Sequence, residues 1–384
     1  MKRKKVKFIH WSDNHIGYSR FDIVDKNGVN QRATDFYNTF NQAIDIIIDK
    51  KPDFTINSGD IIDMASVGNR TRDIFDKGLA RLDKSGIKTI VLSGTHDVPK
   101  SRRDAHLFEI SEFENIQMIT QPDLIEMSVE GQKVNIYCVP YSINHEEMCA
   151  WFDDTVNDTR DANAYNILVL HCDVSGVAYT KNSTNVLVLP EDIGDRYDYV
   201  AMGHFHSHHL WNGKNNVVFA GATERQDFNE AGEGRYVHEV TLDNKVMVMD
   251  SIPLNIRGMV RIIIDLTDIN DVESAMDKIK KSVKNSRDAL NDGAIVQMVY
   301  RSTFELFKGI NLKAIQSTLL PNSLRVVHQR EDVAKTDVAR SSNSNVSGNI
   351  VDEWRKSIDI ANEEKESKKW FYVTGKIFLE EAMK

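Results

Sequence analysis

The sequence lacks most of the features that would place it outside a reducing interior. Its 384 residues contain only three cysteines, Cys138, Cys149 and Cys172. These form no closely spaced pair of the kind that grips zinc, and they fall in or beside apolar segments, so neither a disulfide framework nor a thiolate metal site is expected. No apolar run approaches the roughly 20 residues a membrane helix needs. The basic start, Met1 to Lys5, looks like the head of a secretion signal, but the apolar stretch behind it stops at His10 and Ser12-Asp13. It is expected to be a frayed end, and the protein to be soluble and cytoplasmic. Positive charge is also scarce: 48 Lys and Arg face 57 Asp and Glu, a formal net charge of -9. Proteins that coat nucleic acid by bulk attraction carry the opposite balance, so any contact with a polyanion has to be local. No internal repeat is found.

What the chain does have is 41% apolar residues, enough for a large interior, and a length suited to one large domain with smaller additions. Its first two-thirds alternates short apolar runs with helical spacing, the order that builds a layered α/β sheet. Strands are predicted at Val6–Trp11, Phe54–Asn57, Ile87–Ser93, Val134–Val139, Ile167–Leu170 and Tyr199–Met202. Phe36, Phe40, Ala43 and Ile47 mark one intervening helix, and the stretch from Ile74 to Leu82 marks another. From about Ile256 the texture changes to a small α+β pattern, with strands at Val260–Leu266 and Ala294–Tyr300 and helices at Val272–Val283 and Leu312–Leu319. Residues 339–349 are polar and poor in large apolar side chains, as a flexible linker is. Beyond them, Trp354, Trp370, Phe371 and Phe378 lie on helical patterns too short to fold alone, which suits a segment that folds onto a partner.

Five motifs carry the chemistry: Asp13-Asn-His15, Gly59-Asp60, Gly94-Thr-His96-Asp97, His171 and Gly203-His-Phe-His206. All stand at predicted strand ends, and in open α/β sheets ligands bind at the carboxyl ends of strands. Strand geometry repeats every two residues, so Asp13 with His15, and His204 with His206, point to one side. Two carboxylates and four imidazoles without thiolate suit Mn²⁺, Fe²⁺ or Zn²⁺. These ligands are too many for one ion. Two ions about 3.5–4 Å apart, sharing one carboxylate, form the arrangement used for phosphate-ester cleavage.

The set resembles the calcineurin-like metallophosphoesterase superfamily, over residues from about 6 to 206. The resemblance implies two mixed sheets flanked by helices, followed by a small α+β capping domain and a helical tail. It also implies that Asp13, His15, Asp60 and His206 hold one ion, and that Asp60, His171 and His204 hold the other, with Asp60 bridging. Thr95 stands where the family has an asparagine ligand of the second ion, and a hydroxyl is a shorter, weaker donor. His96, by resemblance, stabilises the transition state and protonates the leaving oxygen.

Within the superfamily three features are similar to SbcD proteins, the bacterial relatives of the meiotic-recombination-eleven nuclease. These are Ala220-Gly-Ala-Thr-Glu-Arg225 with Phe228 and Gly232-Glu-Gly234 after it, the opening from Phe8 to Gly17, and the small domain after Ile256. Gly59-Asp-Ile-Ile-Asp63 matches the bacterial form of its motif, whose last residue, Asp63, lies near the site, and it lacks the arginine that phosphoprotein phosphatases place there. The expected organisation is a nuclease domain over 1–255, a DNA-capping domain over 256–338, the linker, and a tail over 350–384 that binds an SbcC-type coiled-coil ATPase. The expected activity is 3′-to-5′ exonuclease action on duplex ends with single-strand endonuclease action, on two Mn²⁺ ions with Mg²⁺ as the alternative, in a homodimer. Arg70, Arg72, Lys100, Arg102 and Arg103 are the candidate phosphate contacts, set against a merely solvated face. His10, His145, His208 and His209 are assigned to structure or surface. Two rival readings are a phosphodiesterase or nucleotidase for small substrates, and a DNA-end-binding scaffold whose second metal site has decayed at Thr95.

Overall fold

A computed structural model describes residues 3–332 apart from 101–105, 110, 159, 176, 178–185, 245, 288, 289 and 291. Arg102, Arg103, the linker and the tail lie outside the described residues.

Two six-stranded mixed sheets stack face to face. In the first, Val6–Trp11 lies between Tyr236–Asp243, antiparallel to it, and Phe54–Asn57, parallel to it. Lys88–Leu92 and Ile116–Ile119 continue the parallel side, and Val246–Pro253 closes the other edge as an antiparallel hairpin. In the second sheet, Tyr165–His171 is flanked by the parallel strands Gln132–Val139 and Tyr199–Gly203. Val217–Phe219 joins the latter in parallel, and Asp123–Val129 and His209–Leu210 form antiparallel edges.

The alternation of side chains sorts the layers. Val6 and Phe8 point into the seam between the sheets with Phe54, Ile56, Tyr165 and Tyr199, where the rings of Phe8 and Phe54 stack at 5.0 Å. Ile9 and Trp11, on the other face, pack under the helices Gln31–Lys50 and Asn69–Lys84. On the far side of the second sheet, the helix His145–Asn157 covers Leu168, Leu170 and Val200. Each such fully buried aliphatic or aromatic side chain contributes roughly 1.5–3 kcal/mol. The first helix is well bounded: Asn30 accepts hydrogen bonds from the Arg32 and Ala33 amides, and Lys51 ends it in a left-handed turn before Pro52.

A third sheet of three parallel strands, Met259–Asp265, Ile295–Ser302 and Arg325–Asp332, carries the helices Val272–Asn285, Phe304–Gly309 and Leu312–Leu319 on one face. Buried ion pairs tie its entry to the large sandwich. Arg257 donates from Nε and an Nη to the two oxygens of Asp35, both at 2.7 Å, and Arg32 donates to Asp35 at 2.6 Å. Arg32 also reaches the Arg225 carbonyl, and Arg225 in turn donates to the carbonyls of Glu233 and Arg257.

Arg3 and Lys4, the first described residues, are not the frayed end expected of this segment. Arg3 forms a two-pronged pair with Asp198 at 2.7 and 2.9 Å and lies over the Tyr165 ring, and the Lys4 amide donates to Gln132. The sequence shows the charge of this segment but not the carboxylate 195 residues away that receives it.

Candidate metal centre

The parallel strands of both sheets end on one rim, where the backbone is strained. Asp13, His15, Asp60 and His204 all have positive φ, at 50°, 44°, 52° and 82°. For side chains other than glycine this costs of order 1–3 kcal/mol each, and such strain persists where the surroundings enforce it, commonly at active sites. The motif glycines make room: a Cβ on Gly94 would strike the Asp60 carboxylate, and one on Gly59 would strike the His171 ring.

Three groups of potential ligand atoms converge, each within 4.8 Å of one another: Asp13, His15 and His206; His15, Asp60 and His96; and Asp60, His171 and His204. Asp13, His15, Asp60 and His171 are buried, His204 and His206 are half-buried, and His96 is exposed. Asp60 belongs to two of the groups, the position a shared carboxylate requires.

Surrounding hydrogen bonds set which nitrogen of each ring is free. His171 donates from Nδ1 to the Ser58 carbonyl at 2.8 Å, leaving Nε2 without a hydrogen-bond partner 3.2 Å from Asp60 Oδ2. His206 is engaged through Nδ1 with Glu230 at 2.9 Å, so its Nε2 faces His15 Nε2, 3.1 Å away. His204 is engaged through Nε2 with Asp173 at 3.0 Å, so Nδ1 is the nitrogen left for the cluster, while its amide donates to Asp13 at 3.0 Å. Two imidazole lone pairs cannot face each other at that separation unless a proton or a cation stands between them. Donors about 2.1 Å from one ion at ordinary coordination angles lie about 3.0–3.4 Å apart, the spacing seen here. The oxygen and nitrogen donor set, the buried ring nitrogen and the facing rings therefore fit divalent cations.

Electrostatics agree. Burial opposes charge on both Asp60 and His171, but the imidazoles of His171, His15 and His96 hold the Asp60 carboxyl well below its usual range. Asp60 and Asp13 in turn lift His171 above its usual value. His15, buried in the same cluster, is lowered by that burial. Asp97, which accepts from the Gly94 and Ile62 amides at 2.8 and 3.1 Å, is pushed up to about 7 by burial and by Asp60, and it fixes the third motif's loop.

The remaining predicted residues are placed as follows. Thr95 donates its hydroxyl to Asp60 Oδ2 at 2.9 Å, and the His96 amide donates to Asp60 Oδ1 at 2.7 Å. His96 itself donates from Nδ1 to the Asp63 carbonyl at 2.6 Å, and the Asp63 carboxylate lies 3.4 Å from His15 Nδ1. Arg70 and Lys100 are exposed, whereas Arg72 is half engaged with Asp76 at 3.2 Å. His10 is bound at both nitrogens, to Tyr199 and Ser58, and His208 engages the Phe219 carbonyl through Nδ1.

Sequence reasoning missed Asp173, Glu230 and Arg235. Arg235 donates to Glu230 and to the His206 carbonyl, locking the carboxylate that orients His206. The spacing Glu230, Glu233, Arg235 was visible, but their partners lie 24 or more residues away or across a turn. Glu224 and Arg225, read as a discriminating signature, belong to the buried network that anchors the third sheet.

Residues 6–208, more than half of the chain, match the calcineurin-like phosphoesterase family model. The chain belongs to the calcineurin-like phosphoesterase family, as a metal-dependent phosphoesterase. Among curated proteins it is similar to the DNA double-strand break repair protein Mre11 of Methanococcus maripaludis, 24% identical over 77% of this chain and 80% of that one. It is also similar to the Mre11 of Sulfolobus acidocaldarius, 23% identical over 94% of this chain and 96% of that one. Among solved structures, a dimetal phosphatase from Danio rerio is 13% identical over 64% of this chain and 95% of that one, with a TM-score of 0.38, too distant a likeness to add weight.

Proposed function

We propose that this chain is the nuclease subunit of a DNA-end-processing complex of the SbcC/SbcD kind, cutting duplex ends 3′ to 5′ and single strands internally. The observation that carries the proposal is the meeting of Asp13, His15, Asp60, His171, His204 and His206 on one strained rim, with ring nitrogens aimed at a common space. The resemblance to Mre11 proteins along most of the chain supports DNA as the substrate.

Asp13, His15, Asp60 and His206 would hold one cation, and Asp60, His171 and His204 the other, with Mn²⁺ the proposed metal. Bound there, divalent cations lower the pKa of water and neutralise charge on phosphoryl oxygens. The chain's own residues do the rest. Asp60 is held at both oxygens by Thr95 and by the His96 amide, so the shared carboxylate is oriented in advance. His96 is anchored through Nδ1 on the Asp63 carbonyl and keeps its ring exposed, so Nε2 can meet the leaving oxygen and deliver a proton. Asp63 stands between His15 and His96 and keeps both rings in place. Arg70 at the start of its helix and the exposed Lys100 are positioned for flanking phosphates, with Arg102 and Arg103 proposed beside them.

The proposed organisation keeps 1–255 as nuclease domain and 256–338 as DNA-capping domain, with the tail over 350–384 taking the ATPase partner. Homodimerisation and a cytoplasmic location belong to the same proposal. Among the described residues no helix is long and apolar enough to cross a membrane.

Digestion of end-labelled linear duplex with Mn²⁺ tests the proposal: progressive shortening is expected. Turnover of a chromogenic phosphodiester with intact DNA left over would instead favour a small-substrate enzyme. His96→Ser should abolish cutting and leave Mn²⁺ binding unchanged; a fully active variant would refute the role given to His96.

A further inference from the structure

We propose that Asp173 is a positioning residue that supplies the second cation seat, through His204, with the negative charge and donor strength that Thr95 does not provide. This rests on the two-cation reading above.

The two seats are unequal. On that reading the first draws on two carboxylates and two imidazoles: Asp13, His15 and His206 converge as one group, and Asp60 Oδ2 lies 3.9 Å from His15 Nε2. The second has one carboxylate, Asp60, which it shares, and the imidazoles of His171 and His204. Thr95 stands beside it but spends its hydroxyl hydrogen on Asp60 Oδ2 at 2.9 Å, and a neutral hydroxyl is a poor substitute for an amide oxygen.

The groups behind the second seat's rings also differ. His171 leans on a neutral carbonyl, that of Ser58, at 2.8 Å. That bond orients the ring and adds no charge. His204 leans on a carboxylate, Asp173 Oδ1, at 3.0 Å, the side chains being 27% and 14% exposed. A carboxylate on the far nitrogen of an imidazole fixes the tautomer, orients the ring and makes the near nitrogen a stronger donor. Asp173 therefore gives the second seat, at one ring's remove, the second negative charge that Asp13 gives the first directly. Its place favours the role: it lies two residues beyond His171, in the strand Asp173–Val174, so one stretch of chain delivers both a donor and the support for its neighbour. The first seat has the matching device in Glu230 behind His206 at 2.9 Å. The first seat also has the Asp63 carboxylate 3.4 Å from His15 Nδ1, whereas Asp173 is the carboxylate behind a ring of the second.

The test is equilibrium binding of Mn²⁺ to the metal-stripped full-length protein, with free Mn²⁺ followed by electron paramagnetic resonance and no turnover required. The unaltered protein should bind two equivalents. Asp173→Ala should leave one equivalent unchanged and weaken the other about 10–100-fold, and Asp173→Asn, which keeps an acceptor for Nε2–H without the charge, should fall between. Adding Thr95→Asn to Asp173→Ala should recover most of the loss, which a merely structural role for Asp173 would not allow. Glu230→Gln should weaken the other equivalent instead. Two equivalents bound by Asp173→Ala with unaltered affinity, or both lost together, would overturn the role of Asp173. Failure of the unaltered protein to bind two equivalents would overturn the two-cation reading itself.

Discussion

The two ends of the stacked sheets are built on opposite principles. At the amino ends of the parallel strands lies a cavity of about 760 Å³ lined by Arg3, Lys133, Arg160, Arg196 and Asp198. It is roomy and charged, yet its charges are matched. Arg3 meets Asp198, Lys133 meets Glu126 and Asp161, Arg196 meets Asp192, and Arg160 donates to the Val156 carbonyl and Tyr197. At the carboxyl ends the side chains crowd together, four ligand candidates sit at positive φ, and the buried Nε2 of His171 faces the Asp60 carboxylate at 3.2 Å. Charge occurs at both ends. Positive φ occurs at both, at Asn244 beside the cavity as well, but a convergence of potential ligand atoms distinguishes the carboxyl end, and that marks it as built to receive something.

The largest effect that would sharpen the contrast is removal of cations. Chelation, or Asp60→Asn, should lower phosphodiester turnover by about 10³-fold or more, since the several kcal/mol of charge stabilisation at stake correspond to about 1.36 kcal/mol per tenfold. In chelator the same Asp60→Asn protein should also be less stable by urea denaturation at neutral pH, because the charged carboxylate is held below its usual range by His171, His15 and His96 and that favourable interaction is lost. A stability equal to or above that of the unaltered protein would show that this carboxylate–imidazole attraction does not hold the cation-free rim together.

Arg3→Ala should act on stability alone. Leaving Asp198 and the Ala164 carbonyl without their donor should cost about 1–3 kcal/mol in urea denaturation, with Mn²⁺ affinity and turnover unchanged. A loss of turnover in folded Arg3→Ala would show that the amino end is not merely structural.

The smallest effect separates two kinds of histidine. His10 and His238 are hydrogen-bonded at both nitrogens, and His238 is pushed down to about 4 by burial and by His208. The unfolded chain takes up these protons near pH 6.5 and the folded one resists. Stability is therefore full above about pH 6.5 and falls as pH drops from there toward about 4. His238→Gln, which can still donate to the Ala220 carbonyl, should flatten that slope between pH 6.5 and 5.5; an unchanged slope would place the acid sensitivity elsewhere.

Strands buried on both faces were legible as apolar runs, and Val6–Trp11 and Phe54–Asn57 run as predicted. The more exposed strands were not. Asp123–Val129 is largely exposed, and the hairpin Tyr236–Pro253 mixes Glu239, His238 and Asp250 into its runs, so neither shows a clear period. The ligand candidates could be read because each falls abruptly after an apolar run. Their supports could not, because His204 finds Asp173, and His206 finds Glu230, only after the chain has folded back. The orientation of Thr95 was hidden for the same reason: its hydroxyl could not be known to turn toward Asp60 from spacing alone.

Arg235 has a mechanical consequence. Its guanidinium grips the His206 carbonyl at 3.1 Å, and its own carbonyl receives the Leu254 amide at 2.8 Å, three residues before Arg257 is moored to Asp35. A pull on the segment leading into the third sheet is thus transmitted, through a handful of short polar links, to the loop that presents His206. Any body that grips residues 259–332 would have leverage on His206 without touching it.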